Sequence, residues 1–600
     1  MCGIAGEIGP HKPRPMGFYD GILQTMARRG PDQAGIFQWK GCTLLHRRLS
    51  VIDPAHGLQP MTIGPCTIVY NGELYNAAEL RAELEVLGQH FTTHSDTEVL
   101  LRGYLVWGER TPERLNGIFS FAIYDSRDRS LFLARDPMGV KPLFYAVREK
   151  QLFFASELKS LLCFPEIAPE VDIRGLYDLL FLGPGRTPGL GIFRDVQELL
   201  PGQWGRFRDE ALTLGQYWSL EDGECHDSFQ VCAEKTRFLV EDAIQRQLVS
   251  DVPLGTFLSG GLDSSIISAV AKKYLGNLDT FSVDYRDNQK YFHATKFQPN
   301  SDSDFISLME QHLDAHGHRI TLDTDDLVSA LFEAAEARDL PGMADVDSSL
   351  LLLCRETKQY ATVILSGECA DEIFGGYPWY RDPEIRAIQG FPWAQTTAYR
   401  ASFAVPELLR WQDPTHFVQA RYEETLAQAH IAPGTPPLER RMKEMMVLNL
   451  RWFMQTLLDR KDRMSMWSGL EVRVPFCDRR IVEYLYQVPW AHKDYQGREK
   501  GLLRYAFRDM LPEAIVARKK SPYPKTWNPD YMAAVSGLLQ EELSGTNSPL
   551  LDFLQKDRLL ALCRENRSIP WYGQLMTTPQ TIAYFLQLAH WLRVRHVRLV

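Results

Sequence analysis

The chain has 600 residues, 45% hydrophobic and 24% charged, and a net charge of −10. That is the make-up of an ordinary globular protein of about two to four domains. The acidity argues against broad binding to nucleic acid or to an anionic membrane. No apolar run reaches the roughly 18 residues of a membrane span, and the start shows no basic segment followed by an apolar stretch, so no secretory signal is expected. The 10 cysteines are scattered, without a CxxC pair or zinc spacing, which fits a reduced cytoplasm.

In chain order, Met1-Cys2-Gly3-Ile4-Ala5-Gly6 comes first. Removing Met1 would put a thiol and a free α-amine on one residue. That amine titrates at roughly 7.7–8.0, so such a cysteine brings its own base and can attack an amide without a histidine. Residues 1 to about 165 then read as short strands, at 43–52, 66–70, 118–124, 130–134, 143–147 and 151–155, with helices near 78–87 and 97–107. This is an α+β or layered αββα pattern. The Gly- and Pro-rich stretch 182–201 reads as a connection between two domains.

After about residue 235 the rhythm becomes strand 254–258, helix 264–274, strand 280–283, helix 305–316, strand 318–321, helix 327–336, helix 348–360 and strand 362–365. Alternation of this kind predicts a doubly wound parallel sheet, with ligands at the carboxyl ends of its strands. From about 385 onward the chain reads as mostly helical. The division is expected at 1–210 and 211–600.

Two groups of residues carry chemistry. Around Cys2 stand Arg48-Leu49-Ser50-Val51-Ile52 at a strand end, Asn71-Gly72-Glu73 after another, and Ser95-Asp96 opening a helix. An acid and an arginine suit the two charges of a free amino acid. Asn71 and the Gly72 amide could stabilise a tetrahedral oxyanion. Each segment alone reads equally well as a turn or a helix cap. In the second half, Leu258-Ser259-Gly260-Gly261-Leu262-Asp263-Ser264 joins a strand to a helix. Glycines there let backbone amides approach phosphates at a helix start, and no Walker A loop is present. Ser366-Gly367-Glu368-Cys369-Ala370-Asp371-Glu372 repeats the arrangement; three carboxylates so close together call for a cation. Asp263 and Asp371 are the candidate Mg²⁺ ligands.

Together with Arg29-Gly30-Pro31-Asp32 and the run Arg135-Asp136-Pro137-Met138-Gly139-Val140-Lys141, the first group resembles class II (N-terminal nucleophile) glutamine amidotransferase domains over roughly residues 2–200. The loop at 259–265 resembles that of N-type ATP pyrophosphatases. Both halves in this order, continued by Asp462-Arg463-Met464-Ser465-Met466, Glu471-Val472-Arg473-Val474-Pro475-Phe476 and Lys500-Gly501-Leu502-Leu503-Arg504, resemble the glutamine-hydrolysing asparagine synthetases.

The resemblance implies that Cys2 attacks glutamine, with Arg48, Leu49, Ser50, Val51, Ile52, Asn71, Gly72, Glu73 and Asp96 around it. Asp32 and Asp136 look structural. It also implies ATP and Mg²⁺ in the second half, with Leu258, Ser259, Gly260, Gly261, Asp263, Ser264, Val283, Ser366 and Gly367 around ATP. Glu368 would assist at the acyl-adenylate step and Lys500 would neutralise developing phosphate charge. Partners would be glutamine, ATP and aspartate, with a homodimer through the amino-terminal halves. Cys369-Ala370 stands where better-known members have Gly-Ser, which leaves another carboxylate acceptor, such as a natural-product or cell-wall intermediate, as the alternative. A non-catalytic homologue and a simple glutaminase are the remaining readings. Segments 287–303 and 571–600 resemble a bacterial branch and carry no role.

Overall fold

The computed structural model describes residues 2–10, 14–292, 301–545, 547–565, 569–573 and 575–600. The first half contributes β1 (Cys2–Ile8), β2 (Gln33–Trp39), β3 (Cys42–Arg48), β4 (Met61–Ile63), β5 (Cys66–Leu74), β6 (Gly117–Asp125), β7 (Ser130–Arg135), β8 (Phe144–Arg148), β9 (Gln151–Ala155), β10 (Glu170–Val171), β11 (Gln197–Glu198), β12 (Gln203–Arg208) and β13 (Ala211–Gln216). Two sheets result, ordered β11-β8-β9-β1-β3-β2 and β13-β12-β7-β6-β5-β4. Ile4, Leu44, Val69, Ala122 and Leu133 pack between them.

Helix Met16–Thr25 covers the first sheet through Tyr19, Ile22 and Leu23. Helices Ala77–Val86 and Asp96–Trp107 cover the second. This is the expected αββα layering. With both faces covered, β5 and β7 are buried along their whole length, so neither shows a simple apolar–polar alternation.

The second half is built on β14 (Leu254–Phe257), β15 (Asp279–Tyr285), β16 (His316–Leu322), β17 (Val363–Leu365) and β18 (Glu471–Arg473), ordered β16-β15-β14-β17-β18 and all parallel. The chain leaves β14 to one side for β15 and β16, then crosses back to β17 and β18. That reversal opens a crevice at the carboxyl ends of β14 and β17, where such sheets bind ligands. A short β19 (Arg598–Leu599) at the far end of the chain pairs with β10 of the first half.

The structure corrects three sequence expectations. The strand at 43–52 stops at Arg48, because its guanidinium bonds the carbonyls of Ile52, Asp53 and Pro54 and turns the chain. The helix at 305–316 ends at Leu313, where Asp314 takes φ 46°. The stretch 182–201 is not a free connection: β11 lies inside it and pairs with β8. The part beyond 385 is mostly helical, as expected, and its short β18 completes the parallel sheet. The insertion at 287–303 falls partly outside the described residues. Among those described, no helix is long and apolar enough to cross a membrane.

Candidate active sites

Cys2 opens β1 and is buried. Its N–H donates to Asn71 Oδ1 at 3.0 Å, and its carbonyl accepts from Arg29 Nε at 2.9 Å. Burial pushes the thiol up, while the Leu49 amide and Arg48 pull against it. Because Oδ1 is taken, Asn71 turns Nδ2 elsewhere, and that donor is buried without a hydrogen-bond partner.

Gly72 stands opposite Phe119. Phe119 directs both its N–H (3.2 Å) and its C=O (2.8 Å) to Asp136, away from β5. The Gly72–Phe119 pair is therefore a non-hydrogen-bonded one, and the Gly72 N–H points away from β6. A Cβ at Gly72 would lie 2.2 Å from the Ile118 carbonyl, so only glycine fits the strand here.

Glu73 and Asp96 are both buried. Asp96 Oδ2 accepts from Tyr70 Oη and the Leu74 amide, each at 3.0 Å. Glu73 Oε2 accepts no hydrogen bond; Arg473 Nη2 approaches to 3.9 Å. Burial, then Glu471 and Asp96, push Glu73 well above the ordinary carboxyl range, and burial also raises Asp96. Asp32 accepts from the Ser50 amide, and Asp136 from the amides of Phe119, Met138, Val140 and Lys141; both hold loops. Asp251 of the second half accepts from the Asp53 amide at 2.9 Å, while its own N–H donates to Val51 O at 3.1 Å. The loop 49–53 is thus docked on the second half.

The second site is a cavity of about 220 Å³ at the β14–β17 crevice. Leu258, Ser259, Asp263, Ser264, Val283, Ser366, Gly367, Glu368 and Asp371 all line it. Gly260 and Gly261, also expected around ATP, do not line it. Gly260 has φ 66°, and a Cβ there would meet Phe305 Cβ at 2.6 Å, so the loop demands glycine. Cys369 holds φ 80° while carrying a side chain, a strain on the order of 1–3 kcal/mol.

Lys500 is buried and bonds Asp263 Oδ2; its Nζ lies 2.6 Å from Asp371 Oδ1. Lys520 Nζ reaches Asp371 Oδ2 at 2.7 Å. Burial would raise Asp371, but Lys500 and Lys520 outweigh it and hold the carboxyl down at about 2; burial prevails at Asp263 and raises it. Negative charge therefore rests first on Asp371. Asp263 Oδ1 is buried with no hydrogen-bond partner. An all-oxygen pair with one orphaned oxygen fits a hard cation shared with phosphates.

Sequence reasoning missed Lys461 and Lys520, which reach the cavity from helix Met454–Trp467 and from an irregular segment. No motif or spacing marks either one. It also quoted Asp462 and Arg473 without placing them. Asp462 Oδ2 accepts from Arg29 Nη1 at 2.7 Å, and Asp462 Oδ1 accepts from Lys141 Nζ at 2.9 Å, which clamps the two halves together behind Cys2. β18 carries Arg473 to Glu73. Only the folded chain shows these connections.

A glutamine amidotransferase domain model matches residues 1–218, and an asparagine synthase model matches residues 235–593. The chain is 44% identical to asparagine synthetase [glutamine-hydrolyzing] 3 of Bacillus subtilis, covering 98% of each chain. It is 30% identical to asparagine synthetase [glutamine-hydrolyzing] 1 of the same organism, over 94% of this chain and 93% of that one. With asparagine synthetase B of Escherichia coli it shares 27% identity over 84% of this chain and 78% of that one. With a buried cysteine beside an unpartnered amide donor in one half and a lysine-lined nucleotide crevice in the other, this chain belongs to the family of glutamine-hydrolysing asparagine synthetases.

Proposed function

We propose that the protein makes asparagine from aspartate, taking nitrogen from glutamine and energy from cleavage of ATP to AMP and pyrophosphate. The observation that carries the reading is the pairing of two complete sites. One holds a buried thiol next to an orphaned amide donor, and the other holds two acids and two lysines at a switch point.

In the first site Cys2, freed of Met1, attacks the side-chain amide of glutamine. Its own amine, oriented by Asn71 Oδ1, takes the thiol proton. Asn71 Nδ2 and the Gly72 N–H donate to the developing oxyanion. The ammonium of glutamine would satisfy Glu73 Oε2 and Asp96, which burial otherwise disfavours as anions. The glutamine carboxylate is assigned to Arg48 by resemblance, and loop 49–52 walls the pocket.

In the second site a carboxylate of aspartate attacks the ATP α-phosphate, giving β-aspartyl-AMP. Asp263 and Asp371 would hold Mg²⁺, which neutralises phosphate charge when bound. Lys500 and Lys520 offset the charge that builds on the departing pyrophosphate. Ammonia then attacks the acyl carbon with Glu368 nearby.

Ammonia released into water near neutral pH is mostly protonated, so a shielded route between the sites is expected. Leu49, Val51, Met138 and Val140 of the first half share one apolar cluster with Cys369, Met454 and Leu458 of the second, which supports that route. All ten cysteines are free, in keeping with a cytoplasmic location. The resemblance further implies a homodimer, which a measurement of mass in solution decides.

The test is pyrophosphate release from glutamine and Mg-ATP with and without aspartate. Release that depends on aspartate, with asparagine formed, supports the reading. Glutamine hydrolysis without such release overturns aspartate as the acceptor. In the same assay Cys2→Ala should lower glutamine hydrolysis at least ~10³-fold while ammonia-driven synthesis persists.

A further inference from the structure

Lys461 lies in helix Met454–Trp467, directly ahead of Asp462. Its Nζ is 2.8 Å from Glu368 Oε1. Ser366 Oγ donates to the other oxygen, Glu368 Oε2, at 2.5 Å. Lys461 and Ser366 come from different elements, so the carboxylate is gripped from two directions and keeps one orientation. The lysine is itself held: its side chain is 6% exposed, and its ammonium lies 5.1 Å from the ring centre of Phe257 at the end of β14. All four residues line the synthetase cavity.

Among the described residues, no other cation forms an ion pair with this carboxylate. Arg460 is the next positive group facing Glu368, but its guanidinium is engaged with Asp347 at 2.9 Å and with the Val346 carbonyl at 2.8 Å. Cys354, Cys369 and Tyr523 also face the pair, and none of them is cationic. Glu368 is half-buried, with 17% of its side chain exposed, and an ionised carboxylate so largely withdrawn from water needs a partner.

We propose that Lys461 is a positioning residue for Glu368, fixing its carboxylate in one orientation and keeping it ionised for the amide-forming step. The inference rests on the function proposed above. In that step ammonia attacks the acyl carbon of the adenylate and a C–N bond forms. The C–O bond to phosphate breaks, and AMP leaves with the electron pair. One proton of the attacking nitrogen passes to Glu368, which ends neutral. A carboxylate that is already protonated, or turned away, cannot accept it.

The experiment uses the full chain with ammonia as nitrogen donor, so that the glutamine site is bypassed. Lys461→Met and Lys461→Gln should lower kcat for asparagine formation about 10²-fold, the scale of a lost general base, with KM for ATP within about twofold. The acid limb of the pH–rate profile should move to higher pH, and Lys461→Arg should recover most of the rate. A purely structural lysine would leave that limb where it is. Rates within about threefold of the unaltered protein, an unmoved acid limb, or an arginine variant no better than methionine would each overturn the proposal. Glutamine hydrolysis at Cys2 reports whether a variant is folded; if Lys461→Met is not, Lys461→Arg and Lys461→Gln decide. Failure of the underlying function would appear in the unaltered protein, as pyrophosphate release that ignores aspartate. Failure of this inference appears only as a difference between variants.

Discussion

The two sites treat their acids differently, although burial raises Asp263 and Glu372 in the second as it raises Glu73 and Asp96 in the first. Near Cys2, Glu73 and Asp96 are pushed above the usual carboxyl range, and Arg473 comes no nearer to Glu73 than 3.9 Å. In the synthetase cavity Asp371 and Glu368 are held below that range: burial opposes the shift, but Lys500, Lys520 and Lys461 outweigh it. The first site is thus built for a guest that supplies a positive charge, as the ammonium of an amino acid does. The second carries its own cations and suits anionic guests, a triphosphate and a carboxylate. A fold can place buried charge at a site either by leaving it short of a partner or by supplying one in advance.

The comparison can be broken from the first side. Asn71→Ala removes the unpartnered Nδ2, and glutamine hydrolysis should fall about 10²–10³-fold in kcat, with ammonia-driven synthesis unchanged. A fall confined to KM would mean that Asn71 reads the substrate and not the oxyanion, and steady-state kinetics with both nitrogen donors separates the two.

A second break lies between the sites. Asp462→Asn leaves Arg29 and Lys141 buried without their shared acid, and breaking such a pair costs about 3–5 kcal/mol. Denaturant unfolding should show that loss, and the carbonyl of Cys2 should lose a well-oriented Arg29. An unchanged midpoint would mean that the halves are held by their apolar contacts alone.

A third break concerns pH, where the change per pH unit is small. His46 on β3 is buried, and burial lowers it from 6.5 to about 3; its Nε2 lies 3.2 Å from the Tyr70 carbonyl, just ahead of Asn71. The unfolded chain therefore binds the extra proton first. Stability should fall as pH drops from 6.5 towards 3, by at most about 1.4 kcal/mol per pH unit for this one group. His46→Gln should flatten that part of the stability curve of the first half. Denaturation midpoints between pH 4 and 7 for the two proteins check the sign.

Much of the fold was legible because it rests on local signals. Short β-rich runs ended by turns gave six of the thirteen described strands of the first half within a few residues. Alternating strands and helices gave the parallel sheet. Glycine-rich turns after apolar strands, at 259–261 and 366–367, marked the nucleotide loops, since backbone amides can approach a phosphate only there. The errors came where a distant partner overrides local preference. The chain turns after Arg48 because a guanidinium collects three loop carbonyls. The run 471–473 is a strand because β17 offers it an edge, and three residues hold no periodicity to read.

By itself the sequence determined the layered and doubly wound architectures and, with the family resemblance, proposed the nucleophile at Cys2, the Asn71-Gly72 donor pair and the acids at 263, 368 and 371, for each lies in a short segment that can be recognised locally. Only the tertiary structure decided that Lys461, Lys500 and Lys520 converge on those acids, that Asp462 ties Arg29 and Lys141 across the halves, and that β18 brings Arg473 to Glu73. These are contacts between segments hundreds of residues apart. A lone lysine or aspartate has no local signature, and its role exists only once folding has buried it beside an opposite charge.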